Sequence, residues 1–291
     1  VLGPYMTGVA SFFVESGEKV IRAYGTTPHP NVLAAYLFLA IFAFYFLWLY
    51  QKQNRNSTYD TMKYHKLMKF WWVWYPAMLF GLFFTFSRVT IFLLCVCVLV
   101  SALIYGNIKV WRTRLMPLFF ATLIVICVFS LIYWPEVSTR LTVSSEEEAV
   151  QLRMFYNKEA LGGGLNLFGI GLGDFTGWLM EQNPNLPQHV YQPVHNIYLL
   201  VYSEVGVIGA VFFLLFIGGL LYEFIKRTAL REMMHNSFVL VTASVVVMGL
   251  FDHFLLTIQQ GRFILWLSLA LLVGLTKIND DANINSATTR R

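Results

Sequence analysis

The chain has 291 residues, 57% of them hydrophobic, 17% aromatic and 13% charged, with a mean hydropathy of +0.59 and a formal net charge of +5. A soluble domain carries roughly a quarter charged residues. An ordinary cytosolic enzyme, a collagen and a disordered chain are therefore excluded, and long apolar blocks with few charges point to several membrane-spanning helices.

The opening, Val1-Leu2-Gly3-Pro4, has no initiator methionine and no basic leader, and reads as the C-terminal part of a longer chain. Residues 1–31 form an entry segment. Apolar runs then predict seven spans, each needing about 20 residues to cross roughly 30 Å of hydrocarbon. The first covers Val32 to Tyr50. Phe70 to Phe86 and Val89 to Tyr105 are parted only by Ser87-Arg88, and as one straight helix the pair would reach about 54 Å, too long for a bilayer, so the chain turns there. Leu115 to Trp134 is the fourth span. The polar stretch 135–194 follows, with too many Gly, Pro and Asn residues to cross. His195 to Tyr222, Ser237 to Leu256 and Phe263 to Thr276 complete the set. Cys95, Cys97 and Cys127 lie inside apolar runs and read as small apolar side chains rather than a disulfide framework or zinc cluster.

Fourteen of the 21 Lys and Arg residues fall in linkers 51–69, 106–114 and 223–236 and in the tail 277–291. Seven alternating spans put all four segments on one side, the cytoplasm by the positive-inside rule. The net charge is thus a topology signal, not evidence for nucleic-acid binding. Residues 1–31, the Ser87-Arg88 turn and the loop 135–194 fall on the opposite face. The Trp71, Trp72, Trp74 and Tyr75 cluster suits an aromatic belt. The expected architecture is all-α and polytopic: segment 1–31, four spans in 32–134, a large extracytoplasmic loop 135–194, three spans in 195–276 and a cytoplasmic tail 277–291.

Seven cations escape the topology rule: Lys19, Arg22, Arg88, Arg140, Arg153, Lys158 and Arg262. Arg88, between two apolar runs, either faces a protein interior or water-filled cavity or snorkels to the headgroups as a turn residue. In the loop, Val137 to Leu161 predicts an amphipathic helix presenting Arg153, with Glu146, Glu147 and Glu148 as its solvated start and Gly162-Gly163-Gly164 as its stop. Gly169-Ile170-Gly171-Leu172-Gly173-Asp174-Phe175 lacks the spacing and the preceding strand of a nucleotide-binding motif. It reads as a turn that lets the loop pack closely.

His195-Asn196 stands where the loop re-enters the membrane. His195, Tyr198 and Tyr202 share a face at helical spacing, and a His can take a proton from a hydroxyl near neutral pH. Alternatively His195 and Asn196 cap the helix start. Glu204 reads as a protonated or Arg-paired structural carboxylate, or as part of the site. Asp252-His253 and Gln259 to Arg262 line a cavity or anchor the interface. No metal-ligand or cofactor constellation is evident, so phosphate chemistry would rest on arginines, which fork onto phosphate oxygens and stay charged.

Several motifs thus fall in one order: Arg22-Ala23-Tyr24-Gly25-Thr26-Thr27-Pro28-His29-Pro30-Asn31, then Ser87-Arg88, then Arg153 before the glycine turn, then His195-Asn196 with Tyr198, Leu199, Glu204, Gly206 and Gly209. Over roughly residues 20 to 275 this resembles the O-antigen ligase and O-antigen polymerase superfamily of bacterial membrane glycosyltransferases. Members usually have more than seven spans, in keeping with a missing N-terminal part. The resemblance implies a GT-C-like multi-pass protein of the bacterial inner membrane. It would transfer a glycan from a polyprenyl diphosphate carrier to a lipid A core, growing glycan or other hydroxyl acceptor, at the extracytoplasmic face and without metal or nucleotide sugar. It places Arg88, Arg153 and His195 in catalytic roles and Arg22, His29, Asn196 and Tyr198 in substrate binding. The competing reading is a lipid-glycan flippase or secondary transporter, though the unexplained polar residues crowd to one face rather than the midplane.

Overall fold

The computed structural model describes residues 10–14, 16–53, 69–105, 109, 111–142, 148–162, 166–227 and 233–288. Glu146, Glu147, Gly163, Gly164 and, of the linker and tail cations, Arg55, Lys63, Lys66, Arg231, Arg290 and Arg291 lie outside these residues. The chain divides into two compact units, Val1–Thr142 and Val143–Arg291.

The first unit opens with an antiparallel hairpin, β1 (Ser11–Phe13) and β2 (Lys19–Ile21), pairing Ser11 with Ile21 and Phe13 with Lys19. These two short strands depart from the all-α expectation. Helix α1 (Pro30–Gln53) follows, with proline at its first position, where a missing N–H costs nothing. Helix α2 (Trp71–Phe84) and helix α3 (Arg88–Tyr105) are separate, and the expected break at Ser87-Arg88 is present. A π-helical turn at Trp111–Leu115 leads into α4 (Met116–Ile132), and α5 (Trp134–Leu141) leaves α4 at a bend of 100°.

Helix α1 packs on α2 and α3, and α2 on α4, around buried Phe38, Leu79, Leu82, Leu94 and Phe129. Apolar side chains gain little by leaving lipid for one another, so close packing and interhelical hydrogen bonds must hold such helices together. Tyr75 supplies one bond, its hydroxyl 2.8 Å from that of Thr122. The expected aromatic belt is divided accordingly: Tyr75 is buried and Trp71 lies 5.4 Å from Trp48, while Trp72 and Trp74 are exposed.

The anticipated helix Val137 to Leu161 is two elements: α5 ends at Leu141 in the first unit, and α6 spans Glu148–Gly162 in the second. Helix α7 (Phe175–Gln182) and a short turn at Gln188–Val190 precede α8 (Ile197–Arg227). Tyr156, Phe175, Leu179, Val190, Val194 and Leu200 form a small core that fastens the loop helices to the start of α8. Helix α9 (Met233–Met248) stops well before Leu256, and α10 (Phe254–Thr257) and α11 (Gln259–Thr288) follow. Asp252 and His253 therefore sit in a connection, not in a spanning helix.

Each of the seven apolar runs contains a helix, though the sixth is broken after Met248. Among the described residues, Pro30–Trp48 and Ile197–Glu223 are each long and apolar enough to cross a membrane, and the bent pair α4 and α5 is a third candidate. Trp71–Phe84, Arg88–Leu103 and Phe238–Met248 are apolar but shorter. Phe212 and Leu215 on α8 are more than half exposed, as a lipid-facing helix requires.

Candidate functional site

In the first unit the arginines gather at the turn between α2 and α3. Phe86 takes a left-handed conformation (φ 47°), uncommon for a bulky residue. Its ring packs 5.7 Å from Phe129 and 5.2 Å from Phe12 of β1, contacts that hold the turn in this shape. Thr85 and Ser87 are buried; the Ser87 N–H donates to the Thr85 hydroxyl at 3.2 Å, and the Ser87 hydroxyl meets that of Thr90 at 3.1 Å. Arg22 is buried, its Nε donating to the Thr85 carbonyl at 2.7 Å and an Nη to the Asn31 side chain at 2.6 Å. Arg140, at the end of α5, donates to the Phe86 carbonyl at 3.4 Å, with its guanidinium 5.0 Å from the centre of the Phe12 ring. Arg88 donates to the Thr142 carbonyl at 3.3 Å. Three guanidinium groups thus belong to one turn. His29 stands at the start of α1, where its Nδ1 accepts the Asn31 N–H at 3.2 Å.

In the second unit His195 lies just before α8. Its ring stacks on Tyr156 at 5.4 Å, nearly parallel, and meets the His253 ring edge-on at 4.9 Å. Tyr156 is fully buried and donates its hydroxyl to the Val190 carbonyl at 2.6 Å; burial pushes its phenol up from the ordinary value, so it stays a donor. His253 Nδ1 is 2.6 Å from the Thr257 hydroxyl. Burial pushes the His253 imidazole down, opposed by the Asp252 charge beside it. Arg153 is three residues before Tyr156 on α6, so the two lie on the same side of that helix.

Asn196 caps α8: its side-chain oxygen accepts the Tyr198 and Leu199 N–H groups at 2.9 and 3.2 Å. The capping alternative therefore holds for Asn196. Because α8 begins only at Ile197, helical spacing does not carry His195 onto a face with Tyr198 and Tyr202, a correction to that expectation. Tyr198 instead donates to the Val246 carbonyl of α9 at 2.7 Å, and the Ile197 N–H donates to the Gly249 carbonyl at 2.8 Å. These two bonds fix the start of α8 to the end of α9.

Helix α8 is interrupted at Gly206, which has φ 76°. The N–H groups of Val207 and Ile208, which regular helix would direct to the carbonyls of residues 203 and 204, go to Asn166 and Leu167. Those two carbonyls accept instead from Ile170 and Gly171, at 2.9 and 3.0 Å. The glycine turn thus exchanges hydrogen bonds with the broken helix, and a Cβ at Gly169 or Gly206 would collide with the opposing backbone. The close-packing role expected of this turn is what the structure shows. Glu204 is buried, and its carboxylate accepts backbone N–H groups of Gly173 and Phe175 at the start of α7.

Residues 76–214 match the family model described as O-Antigen ligase. Over this segment the chain is similar to the O-antigen ligase family. No curated protein and no solved structure matches it. The matched segment contains Arg88, Arg153, His195, Asn196 and Tyr198, whereas Arg22, His29 and His253 lie outside it.

Sequence reasoning left Arg140, Tyr156 and His253 without a place in the site. Arg140 was visible among the seven cations that topology leaves over. Tyr156 could have been found by its spacing from Arg153. Nothing in the sequence pairs His253 with His195, 58 residues earlier, since that contact depends on where α9 stops.

Proposed function

We propose that this chain is a glycosyltransferase of surface polysaccharide biosynthesis, moving a glycan from a polyprenyl diphosphate carrier to an acceptor hydroxyl. The observation that carries the reading is the O-antigen ligase match, because the matched segment takes in Arg88, Arg153 and His195 together. The acceptor is a lipid A core, a growing glycan or another hydroxyl compound. The protein is a seven-span inner-membrane protein with segments 1–31 and 135–194 on the extracytoplasmic side and 277–291 in the cytoplasm. The helices at all seven apolar runs and the positive-inside pattern support this.

In the reaction the acceptor oxygen attacks the anomeric carbon of the donor sugar. The bond from that carbon to the diphosphate oxygen breaks, and polyprenyl diphosphate departs with the electron pair. His195 takes the acceptor proton. Arg88 and Arg153 meet the charge that grows on the leaving diphosphate, each able to fork onto two oxygens. A single displacement inverts the anomeric centre. Asn196, Tyr198 and His29 arrange the elements that bear the substrate contacts. Arg22 holds the Thr85 carbonyl and so sets the Arg88 turn. No step requires a metal ion.

Transport is the second reading, favoured by the break in α8, since discontinuous helices are common in transporters. Here, however, the freed backbone groups are bound by the glycine turn rather than offered to an ion. The deciding experiment reconstitutes the protein in liposomes with labelled polyprenyl diphosphate glycan and EDTA. An acceptor-dependent single product indicates a ligase, and a ladder without added acceptor indicates a polymerase. Intact donor moved across the bilayer would replace the transfer reading with transport.

A further inference from the structure

The glycine turn presents its apolar side chains outward. Leu167, Phe168 and Leu172 are 55%, 76% and 83% exposed, and no charged residue occurs from Ala160 to Gly173. Single exposed apolar side chains are common on a wet surface, but these three lie within six residues and make a patch. The backbone beneath them is bonded to protein. The Phe168 and Gly169 N–H groups donate to the Asn166 side-chain oxygen at 3.1 and 3.0 Å, and those of Ile170 and Gly171 donate to the Ser203 and Glu204 carbonyls. The Asn166 and Leu167 carbonyls accept from Val207 and Ile208. A turn in bulk water can leave such groups to the solvent. Irregular backbone at the depth of a bilayer cannot, and needs protein partners of this kind.

The place of the turn on α8 identifies what the patch meets. Residues 197–207 of α8 are buried or half-buried, whereas Ile208, Val211, Phe212 and Leu215 are exposed, at the spacing of one helical stripe. The turn is bonded to residues 203–208, so its patch begins where the lipid-facing stripe begins. Toward the cytoplasm the first charged residue of α8 after this point is Glu223, and the sixteen residues from Ile208 to Glu223 rise about 24 Å. That is short of the roughly 30 Å of hydrocarbon a span crosses. The remaining ~6 Å falls on the part of α8 clad by the turn, and any tilt of the helix carries the boundary further toward Ile197. We propose that the glycine turn dips into the extracytoplasmic edge of the bilayer, with Leu167, Phe168 and Leu172 among the lipid chains. It thereby seats α6 and α7 on the membrane surface. The inference rests on the reading of α8 as a span and is independent of the transfer chemistry.

The test uses full-length protein in vesicles of phosphatidylethanolamine and phosphatidylglycerol. In a background of Cys95→Ala, Cys97→Ala and Cys127→Ala, a nitroxide is attached to Phe168→Cys, Leu172→Cys, Phe212→Cys or Asn185→Cys, the last an exposed position in the same loop. Collision with oxygen, which concentrates in hydrocarbon, is compared with collision with a water-soluble nickel chelate. Labels at 168 and 172 should give an oxygen-to-nickel ratio near that at 212 and severalfold above that at 185. Ratios equal to that at 185 would put the turn in water and overturn the proposal. Labels reached by neither reagent would overturn it as well, since protein, a second copy included, would then cover the turn. A label at 212 reached by nickel would contradict α8 as a span, and the inference with it, while leaving the donor chemistry untouched. Wild-type protein gives a second reading free of substitutions: a diazirine on a lipid acyl chain should mark the peptide holding Leu167 to Leu172 together with α8. Adducts on α8 without any on that peptide would overturn the proposal.

Discussion

His195 is held by rings on two sides, Tyr156 stacked against it and His253 at its edge. This fixes the plane of the imidazole more firmly than a position on a helix surface would. On the proposed mechanism His253 is a positioning residue: His253→Ala should lower kcat about tenfold to a hundredfold with little change in KM, since misplacing a catalytic group by about 1 Å can cost about a hundredfold, and His253→Phe should recover part of the loss. His253 also bears on stability. Its folded pKa is depressed below the ordinary 6.5, so between the two values the unfolded chain binds the proton and the folded one does not. Stability is therefore full above about pH 6.5 and falls as pH drops through that window. Thermal unfolding in detergent should show a falling midpoint on acidification from about pH 7.5 to about pH 5.5, flattened in His253→Phe; an unchanged slope in that variant would rule out this group. At the arginines, Arg88→Lys and Arg153→Lys should each impair transfer, because an ammonium cannot fork onto phosphate. Near-normal turnover would mean that charge alone suffices.

At the scale of elements, the exchange between the glycine turn and α8 is what gives loop 148–194 a defined position on its unit. Gly169 (φ 74°) and Gly206 (φ 76°) both combine left-handed backbone with direct backbone approach, so Gly169→Ala or Gly206→Ala should cost more than about 2 kcal/mol. Limited proteolysis after the substitution should cut the loop between α6 and α7 first; resistance equal to wild type would show that the turn tolerates displacement. The sequence made the turn legible through its glycines but not its destination, because a mid-helix Gly206 is ordinarily a mild cost rather than a break. The Ser87-Arg88 turn was legible from length alone, as two apolar runs too long for one span. The stop of α9 at Met248 was not, since Leu250 and Phe251 continue the apolar composition while the backbone leaves the helix. The hairpin was hidden for the opposite reason: strands of three residues leave almost no periodic signal.

For the whole molecule, apolar content and the distribution of Lys and Arg pointed to a helical membrane protein, and the ordered motifs resemble the family whose model matches residues 76–214. The individual candidate residues were legible as types, an Arg in a turn and a His just before a long apolar helix. Their supporting partners Arg140, Tyr156 and His253 were not, since each depends on tertiary contact. Cysteine labelling from the two sides of sealed vesicles should place Ser57 with the cytoplasm and Ser138 with the opposite face; the same side for both would overturn the topology. The central claim is that His195 accepts the acceptor proton while arginines stabilise the departing diphosphate. Single-turnover release of polyprenyl diphosphate tests it most directly, using wild-type protein, His195→Gln and Arg153→Lys in liposomes with saturating acceptor. The account predicts acceptor-dependent release by wild type, none above background by His195→Gln, and slowed release by Arg153→Lys with donor still bound. Release by His195→Gln at the wild-type rate would contradict it.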